Sequence, residues 1–241
     1  MRELVWPACW NVRDLGGIPT SSGTATRMRR VVRAGNLSKL TADGRDALLA
    51  YDIRTAIDLR DQREHAIELD PFHPDGPWAG DVSYVSEPLI SEAEWVAIKD
   101  PAQRRRGYVL TLELSRENIG RVMSRVAEAP EGGVVIHCHA GKERTGVVAM
   151  LLLALAGCAP SSIGDDYVAS DAQLTHLYDE WAAREPEGEA RVRLRDSFRS
   201  EAEHMTRPLD HIDAQGGIDE YLRSAGLAPQ TIERLRARMT A

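Results

Sequence analysis

Along the chain, short runs of β-branched and apolar residues alternate with longer stretches whose apolar positions recur every three or four residues. The first pattern predicts buried strands, the second amphipathic helices. "RRVVRAG" (29–35) reads as a short strand, and "SKLTADGRDALLAY" (38–51) as a helix with Leu40, Leu48 and Leu49 on its apolar side. "RTAIDLRDQRE" (54–64) contains a buried strand ending in "DLR", and "VSYVSEP" (82–88) is a further strand. Between them "DPFHPDGPWAGD" (70–81), rich in proline and glycine, is a loop. From Arg104 to Ala127 the pattern is helical, with Ile119, Val122, Met123 and Val126 on one face. "PEGG" (130–133) stops that helix, "VVIH" (134–137) is a buried strand, and a helix apolar nearly all round begins at about Arg144. Ser161 or Ser162 is expected to cap the next helix, which contains "IGDDYVAS" (163–170). Residues 172–206 are charged and poorly amphipathic, as in a solvated helical excursion or lid. Two closing helices follow, with Gly226 as a stop and Pro229 near a start. Strands alternating with helices predict an α/β fold around a largely parallel sheet, with residues 1–241 forming one domain.

Composition narrows the function. The 241 residues carry 43% hydrophobic and 28% charged side chains, ordinary values for a packed core. A net charge of −7 argues against non-specific nucleic-acid binding and against an anionic membrane surface. The longest apolar run, Val147 to Gly157, is far short of the ~20 residues that span a bilayer, so no membrane insertion is expected. Three cysteines, Cys9, Cys138 and Cys158, form no disulfide framework and suit a reducing compartment. With no apolar segment of signal-peptide type at the N-terminus, a cytoplasmic location is expected. Nearly all basic residues are arginine; Lys39, Lys99 and Lys142 are the only lysines.

One cysteine stands apart. In "VVIHCHAGKERTGVVAM" (134–150), Cys138 ends a buried strand and its loop leads into a helix N-terminus. In open α/β sheets ligands bind at the carboxyl ends of the strands, and loop N–H groups beside a helix N-terminus cradle anions. The same positive field favours a thiolate. Arg144 offers a planar fork that matches two phosphate oxygens, Gly141 permits a tight loop, and Thr145 can bond the sulfur or cap the helix. These residue types in this order suit in-line attack on phosphorus. Cys9 and Cys158 have no such surroundings and read as small buried hydrophobes. "HCH" raises the question of a metal, but neighbouring strand residues point to opposite faces and no second cluster has zinc spacing. His137 is expected beneath the loop, buried and hydrogen-bonded.

"HCHAGKERTG" (137–146) resembles the phosphate-loop signature of the protein tyrosine phosphatases, and more narrowly the bacterial tyrosine-phosphatase family with an "HCxAGKDRTG" loop. "NVRDLGGIPTSSG" (11–23), "RRVVRAGNLSKLT" (29–41), "TAIDLRDQRE" (55–64), "IGDDYVASD" (163–171) and "GGIDEYLRSAGL" (216–227) resemble its other blocks. The resemblance implies a cysteine-dependent phosphatase acting on phosphotyrosine, with phosphoserine, phosphothreonine or phosphoinositides as further substrates. It implies Cys138 as nucleophile, forming a cysteinyl-phosphate that water hydrolyses, and Arg144 as the group that stabilises the transition state. The backbone of His139, Ala140, Gly141, Lys142, Glu143 and Arg144 becomes the phosphate cradle, and neither metal nor cofactor is implied. Where the family has aspartate before the arginine, this chain has Glu143; it is a candidate general acid with one extra methylene. Asp58 is the second candidate, with an arginine-paired structural carboxylate as its alternative. Arg13 and Asp14 are expected to buttress the site, and Lys142 to reach a second phosphate or an inositol headgroup. Two other functions fit the loop less well. A sulfurtransferase would carry persulfide on the cysteine, and a non-catalytic phosphate-binding module would need no thiolate. The sequence leaves the oligomeric state open.

Overall fold

The computed structural model describes residues 2–98 and 107–240. Strands β1 (Arg13–Asp14), β2 (Val31–Ala34), β3 (Ile53–Asp58), β4 (Ser83–Ser86) and β5 (Gly133–His137) form one sheet in the order β1-β2-β5-β3-β4. Only β1 runs antiparallel, at one edge. The expected α/β architecture with a mostly parallel sheet is therefore present. β5 lies centrally, with Ala34 and Asp58 level with its last residue, His137, so the carboxyl ends of three strands open at one place.

Side-chain alternation along β5 divides the interior. Val134 and Ile136 join a large core with the apolar helix α6 (Glu143–Leu155) and with α5 (Arg116–Glu128). Val135 faces the other way, onto Trp6, Val32, Leu48 and Phe72. With both faces covered, a near-continuous apolar strand is what burial demands. In α6 nearly every residue from Arg144 to Leu155 is buried, which explains its lack of a polar face.

The elements read from periodicity appear at β2, β3, β4, β5 and α6, and α1 (Ala42–Ala50) starts behind Thr41, whose hydroxyl accepts from Gly44 N. Several details differ. Two short helices, α2 (Gln62–Ile67) and α3 (Glu92–Ile98), follow β3 and β4 and were not expected. The start of the helix expected from Arg104 lies outside the described residues. Its remainder is α4 (Gly107–Leu114) and α5, interrupted at Ser115, whose hydroxyl bonds Glu94 Oε2 at 3.1 Å. Neither Ser161 nor Ser162 is a cap: α7 (Pro160–Val168) starts two to three residues earlier, with Pro160 in the first turn where its missing N–H costs nothing. The charged stretch forms α8 (Ser170–Ala182), α9 (Glu189–Ser197) and the start of α10 (Glu203–Asp213), before α11 (Gly217–Ser224) and α12 (Pro229–Met239) close the fold. Among the described residues no helix is long and apolar enough to cross a membrane.

Candidate active site

Residues 138–142 connect β5 to α6 at the level carboxyl ends of the sheet. Gly141 has φ +67°, and a Cβ there would stand 2.4 Å from the carbonyl oxygen of Ala34. Only glycine fits that turn. The carbonyls of residues 139–142 are all engaged from outside the loop. His139 O accepts from Asn36 N (2.9 Å), and Asn11 Nδ2 donates to Ala140 O (3.0 Å) and Gly141 O (2.9 Å). Arg33 Nη2 donates to Gly141 O (2.7 Å) and Lys142 O (3.2 Å). Because each peptide is trans and planar, drawing these carbonyls away turns the N–H groups of residues 140–143 to the opposite side. On that side Ala140 and Glu143 line a cavity of about 610 Å³ together with Cys138, which is 1% exposed. Loop donors and the N-terminal end of α6 thus converge above a thiol, a geometry that suits an anion.

The polar groups that hold this loop are anchored in turn. Arg13 donates to Asn11 Oδ1, and to Asp166 Oδ1 (3.2 Å) and Ser170 Oγ (3.1 Å). Arg33 Nη1 reaches Asp166 Oδ2 at 2.7 Å, and Arg2 also pairs with Asp166. Burial opposes ionisation of Asp166, but Arg13, Arg33 and Arg2 outweigh it and hold the carboxyl far below the usual range. Burial and the neighbouring Arg33 push Arg13 down to about 10. Arg13 therefore buttresses the loop as expected. The Asp14 carboxylate does not do so: it accepts from Gly16 N (2.6 Å), Arg29 N (2.6 Å) and the Tyr51 hydroxyl (2.6 Å), none of which holds the loop or its anchors.

Arg144, on the first turn of α6, also lines the cavity. Its Nη1 and Nη2 donate to Glu64 Oε2 (2.5 Å) and Oε1 (2.7 Å), an end-on bidentate pair, and its guanidinium lies 5.4 Å from the Trp95 ring centre. Burial opposes the charge on Glu64, yet Arg144 draws that carboxyl below its usual value. An end-on carboxylate leaves the Nε–Nη2 edge of the guanidinium for a second oxyanion. Glu64 is the functional residue that sequence reasoning missed. Its signal was the Asp61-x-x-Glu64 capping box that starts α2, in which Asp61 Oδ1 accepts from Glu64 N (3.0 Å) and Glu64 Oε2 from Asp61 N (3.1 Å).

The other expected residues fall into two groups. His139, Ala140 and Glu143 line the cavity with Cys138 and Arg144, and Glu143 has a side chain 47% exposed. Asp58 does not line it. Asp58 is 0% exposed and takes Arg60 Nε (2.9 Å) and Nη2 (2.7 Å), Arg60 N (3.0 Å) and the Tyr84 hydroxyl (3.2 Å). Burial works against its charge, but His137, His65 and Arg60 hold the carboxyl well below the normal range. This matches the arginine-paired structural alternative, not a proton donor. Lys142 also differs from expectation. Its ammonium is nearly enclosed, donating to the carbonyl of Phe198 and lying 5.1 Å and 6.0 Å from the Tyr178 and Tyr167 ring centres. Burial lowers its pKa, against Glu143 and Asp171. Reaching a second phosphate would require breaking that enclosure. Thr145 makes neither expected bond; its hydroxyl is buried without a partner. The two remaining thiols, Cys158 buried and Cys9 half-buried rather than buried as expected, are pushed up by burial to about 11 and about 12.

His137 lies beneath the loop, fully buried as expected but with its ring not hydrogen-bonded: Nε2 stands 3.3 Å from Asp70 Oδ2 and Nδ1 3.9 Å from Asp58 Oδ1, and neither nitrogen has a hydrogen-bond partner among the described residues. Among the described residues, Asp58, Asp70 and His137 bring ligand atoms within 4.8 Å of one another, the spacing of a metal cage. However, the guanidinium of Arg60 already neutralises Asp58, and burial raises the Asp70 carboxyl. A cation there would meet a fixed positive charge, so the trio fits a cation poorly.

The sequence pattern of the tyrosine phosphatase family matches residues 4–241. A tyrosine-protein phosphatase of Nostoc commune is 29% identical over 228 residues, spanning 92% of this chain and 78% of its own length. The triple specificity protein phosphatase PtpB of Mycobacterium tuberculosis is 29% identical over 275 residues, spanning 98% of each chain. With the thiol, the anion cradle and the pinned arginine on the strand-to-helix loop, this match over nearly the whole length places the chain in the tyrosine phosphatase family of phosphoric monoester hydrolases.

Proposed function

We propose that this protein hydrolyses phosphotyrosine monoesters through a cysteinyl-phosphate on Cys138. One observation carries the reading: the carbonyls of residues 139–142 are all tied off, leaving an N–H cradle around a buried thiol with Arg144 held at its side. Phosphate bound in the cradle takes the Nε–Nη2 edge of Arg144 and meets the thiolate in line. The Sγ–P bond forms as the bond from phosphorus to the tyrosine oxygen breaks, and Glu143 donates a proton to that oxygen. Water then attacks phosphorus, Glu143 takes back a proton, and Cys138 leaves as thiolate with inorganic phosphate as product. Arg144 and the loop donors stabilise the equatorial oxygens in both steps.

Trp95, Trp181 and Phe198 line the cavity, and the thiol is buried. A phosphate carried on a long aryl side chain reaches such a thiol more readily than one on a short serine. Phosphoserine, phosphothreonine and phosphoinositides are therefore secondary substrates in this reading. Residues 172–206 act as a lid: Trp181 and Phe198 wall the cavity, Trp181 lies 6.0 Å from the His139 ring, and Ala140 packs on Leu174, Leu177 and Tyr178. Three unpaired cysteines fit a reducing, cytoplasmic setting. The test is hydrolysis of an aryl phosphate, inhibited by vanadate, unaffected by a chelator and absent from Cys138→Ser. Full activity in that variant, or loss on chelation, would contradict the mechanism.

A further inference from the structure

Beside the thiol cavity lies a second hollow of about 250 Å³, and the two share Trp95, Glu143 and Arg144 as a common wall. Its other walls are Ile90 and Ile98, with Tyr108 and Thr111 of α4 and Val147 of α6. Drug-sized ligands occupy roughly 300–1,000 Å³, so this volume suits one side chain rather than a separate ligand. Its chemistry is apolar. The Tyr108 hydroxyl is spent on the Tyr167 hydroxyl at 2.9 Å, and Arg144, the only cation among the described lining residues, is held by Glu64 and Trp95. Glu143 stands at the boundary with its side chain half exposed and offers no positive charge there. Among the described lining residues a second phosphate or an acidic residue thus finds no unengaged counter-charge, whereas an aliphatic or aromatic group finds contact on most sides.

We propose that this hollow is a specificity subsite for an apolar side chain, of leucine or phenylalanine size, next to the phosphotyrosine in a substrate protein. The inference rests on the phosphotyrosine reading above, because an occupant is placed there by a phosphate bound over Cys138. The shared wall supplies the coupling: whatever enters the hollow touches Trp95 and Arg144, the two groups packed together beside the thiol.

The experiment compares kcat/KM for phosphotyrosine peptides carrying alanine, leucine, phenylalanine or aspartate at each flanking position. Phenyl phosphate, a short-chain phosphoinositide, Thr111→Phe and Ile98→Ala are run alongside. The readout is the ratio between peptides within one enzyme, which a general loss of activity does not move. At one flanking position the wild type should favour leucine or phenylalanine over alanine by about tenfold or more, the usual worth of filling a hydrophobic pocket, and aspartate should be worst. Thr111→Phe fills the hollow and should bring the ratio towards one. Ile98→Ala widens it and should shift preference from leucine to phenylalanine, so a misfolded filling variant does not leave the idea untested. Turnover of phenyl phosphate with ratios flat within about twofold at both positions would overturn the subsite alone. Ratios unchanged in both variants would do the same. Preference for the phosphoinositide over every peptide would overturn the peptide occupant. No turnover of any substrate would overturn the phosphatase reading and the subsite with it.

Discussion

At the scale of single residues, the site depends on which groups stay charged and where their free edges point. Cys138→Ser should abolish turnover, because a hydroxyl is not ionised where a thiol can be. Arg144→Lys keeps the charge but loses the fork that serves Glu64 on one edge and phosphate on the other; kcat/KM should fall by about 10²–10³-fold. Glu64→Gln keeps the shape but removes the carboxylate charge opposite Arg144. It should lower kcat/KM for good and poor leaving groups alike, which steady-state kinetics across leaving groups would show. Glu143→Gln should behave differently. General acid help is typically worth ~10²–10⁴-fold, so this variant should lose most on phenyl phosphate and little on a strongly activated nitrophenyl ester. An unchanged dependence on leaving-group pKa would remove Glu143 from that role. Asp58→Asn should leave the dependence unaltered while weakening the fold, since its carboxylate is enclosed by Arg60 and Tyr84.

At the scale of elements, strands and long helices were legible because burial writes a period into the sequence. Val134, Val135 and Ile136 are β-branched since β5 is covered on both faces, and α6 is apolar all round since it is buried on nearly all sides. Short helices were not. α2 has no buried residue, so no apolar stripe marks it, and only its capping box announces it. The start of α7 was misplaced because two serines follow a proline that already suits a first turn. Residues 172–206, proposed above as a lid, carry a prediction at this scale. Asp171 on α8 accepts Ser200 N at 2.9 Å and 3.0 Å and the Tyr178 hydroxyl at 3.1 Å, while Lys142 ties the loop to Phe198. Asp171→Ala should therefore speed amide exchange across residues 170–200 with little change in β5 or α6, because opening would be local. Uniform acceleration through the sheet would show that these helices are part of the global core.

At the scale of the whole molecule, the least legible feature is the joining of distant segments beneath the phosphate loop. Arg2, Arg13 and Arg33 converge on Asp166, from opposite halves of the chain, and no periodicity records such a meeting. The loop's place between strand and helix was legible, since that signal is local, whereas the enclosure of Lys142 by Phe198 and Tyr178 was not, because those residues come from a distant stretch of the chain. Removing one partner from a buried ion network costs about 3–5 kcal/mol, so Asp166→Asn should lower the denaturant midpoint by a corresponding amount. Asp166, Asp58 and Glu64 all have carboxyls held below their ordinary values. Their contribution is complete above the unfolded-state pKa of about 4 and is lost as pH falls through the lower folded-state values. Stability should thus fall on acidification below about pH 4, and Asp166→Asn should flatten that fall in pH-dependent unfolding curves.

The central claim is that phosphate passes through the sulfur of Cys138, and rapid acid quench during turnover of a phosphotyrosine peptide tests it most directly. Mass spectrometry of the quenched protein should find a phosphate adduct on the peptide bearing Cys138, absent from Cys138→Ser. Steady turnover with no adduct, or with the adduct on another residue, would contradict the account.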